Sequence, residues 1–231
     1  MRKLGLIGGM SWVSTRTYCE AINKRIRAVR GATASAPLLI ESLDFTDLVR
    51  LSSVAEWDRA AGVLADSARR LEGAGAGAVI IGANSMHRVF DAVVGAVQVP
   101  VIHIADSIGA RMAADGVRSA ALIGTRNVMV EDWYRQRLEA HGVRLLPPAM
   151  EHVAAAERVI YDELMQGRAT RNAERLFKTQ ITEMGKAGAR AIVLGCTELE
   201  MVIDVDANVL PIYDSTRIHA RAAAEWILSP E

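Results

Sequence analysis

The sequence predicts an α/β protein with two pseudo-symmetric halves, each a parallel sheet flanked by helices. Short, almost continuously apolar runs alternate with longer segments whose apolar residues recur at helical spacing, a pattern typical of parallel strands buried on both faces. Residues 74–83 and 187–196 share alanine and glycine at the same places, which indicates an internal repeat. Because both copies end in an apolar run followed by glycine, we expect the two halves to have the same order of elements.

The first half is predicted to contain strands at 4–7, 37–43 and 78–81 and helices at 14–30 and 54–72. The second half is predicted to contain strands at 120–123, 143–146 and 191–194 and helices at 131–140 and 170–186. Each half also has a strand that starts at a proline, Pro100 or Pro211. We therefore expect one half to comprise residues 1–98 with 209–231, and the other to comprise residues 99–208.

Composition limits the class of partner. The chain of 231 residues has 27 basic and 27 acidic side chains and few aromatic ones, so neither a nucleic-acid groove nor a membrane surface is expected as a partner. Cys19 and Cys196 are the only cysteines, too far apart for a disulfide framework or for metal-ligand spacing. We expect a cytoplasmic protein whose partner is a small molecule.

Cys196 is the strongest candidate for chemistry, because ligands of open parallel sheets bind at the carboxyl ends of the strands. It follows a buried strand at a predicted helix start, where free N–H groups and the helix dipole favour a thiolate. Glu198 is expected to accept the thiol proton or to support the geometry. The alternative is that Cys196 is a small apolar core residue. Cys19, in the middle of a predicted helix, is assigned to packing.

Polar residues follow other strands. Asn84 and Ser85 occupy the loop that matches Cys196 in the first half, and Thr125 and Thr197 follow strands of the second half. Their hydroxyl and amide groups suit a substrate carboxylate, while helix capping is the equally plausible structural role.

Two further residues lie near these strand ends. Met10 follows the first strand, and His87 follows the Asn84–Ser85 loop, where it lines a cleft or supports packing. The histidines have no ligand spacing, so we predict no metal site. The glycines of the first strand lack nucleotide-loop spacing, and we predict no cofactor.

Three segments resemble the cofactor-independent aspartate/glutamate racemase family: Leu-Gly-Leu-Ile-Gly-Gly-Met-Ser-Trp at 4–12, Asn-Ser-Met-His at 84–87 and Gly-Cys-Thr-Glu at 195–198. The resemblance extends over essentially the whole chain. It implies two flavodoxin-like halves with the active site in the cleft between them, an amino acid or related carboxylate as substrate, and a homodimer.

The same resemblance assigns catalytic roles. Family members use two cysteines on opposite faces of the substrate α-carbon, one as base and one as acid. Cys196 matches the second cysteine, while Ala83 stands where the first is expected, and a methyl group transfers no proton. Members often have a polar residue near Ser52, which implies a substrate-binding role there. They also often have Glu where Val13 stands and a lysine near Met165 that binds an acidic substrate side chain.

Three functions therefore remain open at the level of sequence. The first is an amino-acid racemase, disabled or strongly one-sided because of Ala83. The second is a one-cysteine lyase, such as an arylmalonate-type decarboxylase, in which the remaining thiol protonates an enediolate. The third is a non-catalytic protein that binds a small molecule.

Overall fold

The computed structural model describes residues 1–230, which form two compact units. One unit comprises residues 1–104 together with the segment that begins at His219, and the other comprises Ala105–Ile218. Each unit contains a parallel four-stranded sheet.

The first sheet has the strand order β2-β1-β3-β4. Its elements along the chain are β1 (Leu4–Gly8), α1 (Trp12–Arg30), β2 (Leu38–Ser42), α2 (Val54–Gly73), β3 (Ala78–Ile81), α3 (Phe90–Val94) and β4 (Val101–Ile102). Helix α4 (Ile104–Ala114) then carries the chain into the second unit.

The second sheet repeats this order as β6-β5-β7-β8. Its elements are β5 (Ser119–Gly124), α5 (Arg126–Val130), α6 (Asp132–Ala140), β6 (Arg144–Leu145), α7 (Met150–Asp162), α8 (Arg171–Lys186), β7 (Ile192–Gly195) and β8 (Ile212–Asp214). Helix α9 (Ser215–Leu228) follows β8 and enters the first unit at His219. The equivalent strand orders confirm the predicted fold class of two parallel α/β halves.

The boundaries between the units lie after residues 104 and 218, against the predicted 98 and 208, and the C-terminal segment belongs to the first unit. Strand β4 pairs with β3 and so belongs to the first sheet, although residues 99–208 were assigned to the second half. Strand β8 pairs with β7 and so belongs to the second sheet, although residues 209–231 were assigned to the first. The physical reason is that each short edge strand, with the proline just before it, bonds back to the preceding strand: the N–H groups of Val79 and Ile192 donate to the carbonyls of Pro100 and Pro211, both at 2.9 Å.

The repeated Ala-Gly-Ala segments are helix stops. After α2 and after α8, a glycine adopts positive φ, 92° at Gly75 and 104° at Gly188. The next residue then donates back to the helix, Ala76 N–H to the Leu71 carbonyl and Ala189 N–H to that of Met184, both at 3.0 Å. This is the Schellman arrangement, which turns the chain directly into a buried strand. The repeat thus encodes a helix end followed by a strand in each unit.

Both faces of the first sheet are buried. One face packs against α2 and the other against α1 and α9. Fully buried residues of the first face include Ile7, Leu64, Ala68, Val79 and Ile81, and those of the second include Leu4, Tyr18, Ile22, Ile80 and Ala223. Because helices cover both faces, the strand ends are where polar groups of the sheet are available to bind other molecules.

The helix-stop interpretation predicts opposite effects for two glycines beside and within α2. We expect Gly75→Ala to lower the free energy of unfolding by about 1 kcal/mol, because a Cβ disfavours positive φ. Gly62→Ala is the matched control: Gly62 lies inside α2 and a Cβ there meets no atom within 4 Å. It is expected to raise the free energy of unfolding by roughly 0.5–1 kcal/mol. Urea denaturation followed by circular dichroism measures both, and changes of the same sign would contradict the interpretation.

Candidate functional site

Cys196 lies directly after β7 and is 7% exposed. It precedes the 3-10 turn Thr197–Met201. Its Sγ donates to Oε2 of Glu198 at 3.1 Å. The sequence-based expectation that Glu198 accepts the thiol proton therefore has the required geometry.

Glu198 is itself buried, and the same carboxylate oxygen accepts a second hydrogen bond. The Thr197 hydroxyl donates to Oε2 at 2.6 Å. One carboxylate oxygen thus accepts hydrogen bonds from both a thiol and an alcohol. Charge-assisted hydrogen bonds of this kind fix the orientation of the acceptor.

The environment of Cys196 favours a thiol over a thiolate. Burial raises the pKa of Cys196 well above its ordinary value, and the negative charge of Glu198 adds to the effect. The expected help from free N–H groups is present but outweighed: a backbone hydrogen bond from Glu198, in the 3-10 turn that β7 leads into, lowers the pKa of Cys196 less than burial and the carboxylate raise it. Formation of the thiolate therefore requires a proton acceptor within reach, and Glu198 is in hydrogen-bond contact.

Thr125 lies at the same edge of the second sheet. Gly124 and Gly195 are register partners of β5 and β7, so Thr125 and Cys196 follow neighbouring strand positions. Thr125 is buried, and its hydroxyl donates to Oδ1 of Asn127 at 2.7 Å. Four of the predicted residues, Thr125, Cys196, Thr197 and Glu198, are thus grouped within one unit.

Ala83 occupies the equivalent place in the first unit, directly after β3 and Gly82. It is 7% exposed and belongs to an apolar cluster with Met10, Leu48, Trp57 and Met86. Met10, predicted from its place after β1, is therefore in the same apolar surroundings as Ala83.

His87 ties the loop after β3 to the end of β4. The N–H of Ile104 donates to Nε2 of His87 at 3.2 Å, so the ring proton is on Nδ1, which donates to the Ala83 carbonyl at 2.8 Å. With both ring nitrogens engaged in this way, His87 is a neutral support of the loop. Ser85 begins the 3-10 turn that contains His87, and the Asn84 side chain makes no capping hydrogen bond to it.

Ser52 has a structural role that the sequence did not reveal. Its N–H and hydroxyl donate to Oε2 of Glu56 at 2.9 and 3.2 Å, next to the capping box that Ser53 and Glu56 form at the start of α2. Bonds from the backbone N–H groups of Ser53 and Ser52, in that order of effect, lower the pKa of Glu56 to about 2. In this arrangement Ser52 supports the helix cap.

Two features were missed by sequence reasoning. His219 is fully buried in the first unit. It donates from Nε2 to the Ile102 carbonyl at 3.0 Å and accepts from the Tyr18 hydroxyl at 2.8 Å. Burial lowers the pKa of His219 to about 4. In the second unit the Thr216 hydroxyl is buried, and within residues 1–230 it has no hydrogen-bond partner. Neither residue has a motif around it, and only the helical spacing of its neighbours indicated burial.

Within residues 1–230, no group of three or more His, Cys, Asp or Glu side chains is arranged to hold a metal ion. In the same part of the chain, no helix combines the length and the apolar character needed to cross a membrane.

Comparisons with known proteins show related chains of full length. A Yersinia pestis protein provisionally named an Asp/Glu racemase is 35% identical, with a TM-score of 0.91 over 99% of this chain and 100% of the other. The broad specificity amino-acid racemase RacX of Bacillus subtilis is 20% identical over 98% of both chains. A double variant of arylmalonate decarboxylase shares the fold, with 14% identity and a TM-score of 0.59 over 100% of this chain and 94% of the other. The model of the Asp/Glu/Hydantoin racemase family matches residues 7–223. The chain belongs to the Asp/Glu/Hydantoin racemase family.

Proposed function

We propose that this protein transfers a proton at the α-carbon of an amino acid or related carboxylate, with Cys196 as its single thiol acid–base group. The observation that carries the proposal is the buried hydrogen bond from the Cys196 thiol to the Glu198 carboxylate at 3.1 Å. A nucleophile or base in direct contact with a proton acceptor is the arrangement expected of an activated thiol.

The proposed reaction has two proton transfers. Glu198 accepts the Sγ proton, which breaks the S–H bond and leaves a thiolate. The thiolate then takes the substrate α-proton, and the electron pair of the broken Cα–H bond passes into the carboxylate as an enediolate. Reversal of these steps returns a proton to the same face of the α-carbon. A proton from solvent that enters at Glu198 or Cys196 therefore exchanges with the α-proton without inversion.

Inversion requires a donor at the opposite face, and the family resemblance gives that role to residue 83. Because Ala83 has only a methyl group, we propose racemisation that is slow or strongly one-sided, with Ser85 or a water as the substitute donor. Met10, Asn84, Ser85 and Thr125 remain proposed substrate-binding residues. Thr197 was predicted to bind substrate, but its bond to Glu198 supports a role in orienting that carboxylate.

A second candidate is a one-thiol lyase, and the raised pKa of Cys196 favours it. In this reaction a disubstituted malonate loses carbon dioxide by cleavage of a C–C bond, and the electron pair remains as an enediolate. Cys196, already protonated, donates its Sγ proton to the α-carbon, and the thiol is restored by a proton from solvent. No second acid or base is needed, which is compatible with Ala83.

The resemblance also supports the proposal of a homodimer that takes a small carboxylate, and the two free cysteines support the proposal of a cytoplasmic location. This part of the proposal is independent of the proton chemistry.

The two candidate reactions are separated by isotope exchange in heavy water. We expect either exchange of the α-proton of one enantiomer of aspartate or glutamate, the L-form by analogy with the family, or release of carbon dioxide from an arylmalonate. Cys196→Ser should lower the rate by at least about 100-fold, the usual worth of a positioned acid or base. Cys19→Ser is the matched control and should keep the activity, since Cys19 lies within α1. Activity that survives Cys196→Ser would refute the thiol assignment.

Restoring a thiol at residue 83 tests the role of Ala83. Ala83→Cys is expected to convert one-sided exchange into inversion of both enantiomers, because a second proton donor is then available. Ala83→Ser is the control for size, since its hydroxyl is a far weaker acid than a thiol. Nuclear magnetic resonance and chiral chromatography measure exchange and inversion. If no reaction appears in any of these proteins, the racemase proposal fails.

Glu198→Gln should separate the effect of Glu198 on the pKa of the Cys196 thiol from its role as acceptor of the thiol proton. Loss of the negative charge lowers the pKa of Cys196, so the thiolate absorbance near 240 nm should appear at lower pH than in the parent chain. Proton exchange should nevertheless slow, because the acceptor of the thiol proton is gone. Both measurements use the Cys19→Ser background, so that only one thiol titrates. An unchanged titration together with an unchanged exchange rate would exclude Glu198 as the proton partner.

A further inference from the structure

A cavity of about 420 Å³ lies in the second unit, near the starts of the strands that lead to Cys196. Its apolar floor is formed by Leu122, Pro147, Pro148 and Met184. Ala121 also lines it and pairs with Ile192, four residues before Cys196 along β7. At about 3.3 Å per residue the cavity is some 13 Å from the thiol along the strand, at the opposite end of the sheet.

The equivalent position of the first unit is packed differently. Gly5 is the counterpart of Ala121, and Leu71 is the counterpart of Met184 in the repeat. Because Gly5 has no side chain, α2 approaches β1 so closely that a Cβ on Gly5 would lie 3.1 Å from Cβ of Leu71. In the second unit, Ala121 and Met184 both line open space instead. The position equivalent to Ala121 is thus tightly packed in the first unit, while in the second unit it lines the cavity.

The rim of the cavity has charges of both signs. Arg135 is held in place because its two terminal nitrogens donate to the carbonyls of Met129 and Leu146 at 3.1 and 3.0 Å. These bonds use two of its five N–H donors. Glu183 on α8 accepts a hydrogen bond from His152 at 2.8 Å, and Glu151 is exposed beside it on α7. One fixed cation and two carboxylates around an apolar floor complement a molecule that has both charges and an apolar body.

We propose that this cavity binds a free apolar α-amino acid of about the size of leucine or phenylalanine. Its carboxylate pairs with the remaining donors of Arg135, its ammonium group joins Glu183, and its side chain packs on Leu122 and Met184. The volume is within the usual range of about 300–1,000 Å³ for small-molecule sites. The site is separate from the Cys196 edge, so it does not depend on the proposed proton chemistry.

The test is a titration of the full chain, labelled at its methionine methyl groups, with L-leucine or L-phenylalanine. We expect saturable shifts of the Met184 methyl signal, identified with Met184→Leu, and no shift of Met86 in the first unit. Two leucine analogues test the charge pairing: 4-methylpentanoate lacks the ammonium group and 3-methylbutylamine lacks the carboxylate. Each should bind at least about tenfold more weakly, since one lost charge-assisted bond is worth about 1.4 kcal/mol or more.

Variants assign the binding to this cavity. Ala187→Trp places a large side chain at its edge and should abolish the Met184 shifts, while Ala74→Trp, at the equivalent position of the repeat, should leave them intact. Cys196→Ser should also leave them intact, which distinguishes this cavity from the proposed reaction site. Absence of saturable shifts at 20-fold excess over about 1 mM protein, or equal binding of leucine and both analogues, would overturn the proposal.

Discussion

The close pairing of β5 with β7 is the constraint on which the candidate site depends. Gly124 and Gly195 are register partners, and a Cβ on Gly124 would lie 2.8 Å from the Gly195 carbonyl oxygen. A Cβ on Gly195 would lie 2.6 Å from the Val128 side chain. Because Gly124 and Gly195 have no side chains, the ends of β5 and β7 pack closely, and Thr125 and Cys196 follow at neighbouring positions. The Cys196 thiol is therefore buried although it lies at the edge of the sheet.

Burial of the thiol beside a carboxylate then determines its chemistry. In a medium of low polarity, a thiolate next to Glu198 would place two negative charges in contact, which raises the pKa of Cys196 and favours the thiol. Such a pair serves equally well as a base that removes an α-proton or as an acid that protonates an enediolate. The choice between the two proposed reactions therefore depends on which bond of the substrate breaks, while the same thiol and carboxylate serve in both.

The two units have the same strand order but different side chains at their strand ends. The helix stops at Gly75 and Gly188 are alike, and each is followed by a buried strand that ends in glycine. Beyond that glycine the surroundings diverge: Ala83 belongs to an apolar cluster, while Cys196 is bonded to a carboxylate. The cavity of the second unit is a further divergence at the other end of the strands. The two units therefore share their strand order and differ in the side chains at the strand ends.

The sequence by itself determined the main strands, the internal repeat and the place of Cys196 after β7, because these follow from local patterns of apolar residues and glycine. It also indicated the family, because the three segments that resemble the family lie at strand ends, where a substitution changes the chemistry of the candidate site. Only the tertiary structure decided that burial and Glu198 raise the pKa of Cys196, that the repeated segments are helix stops, that Ser52 supports a helix cap and that β4 and β8 are edge strands. Those properties depend on desolvation and on which distant donors and acceptors meet, and neither is a function of neighbouring residues along the chain.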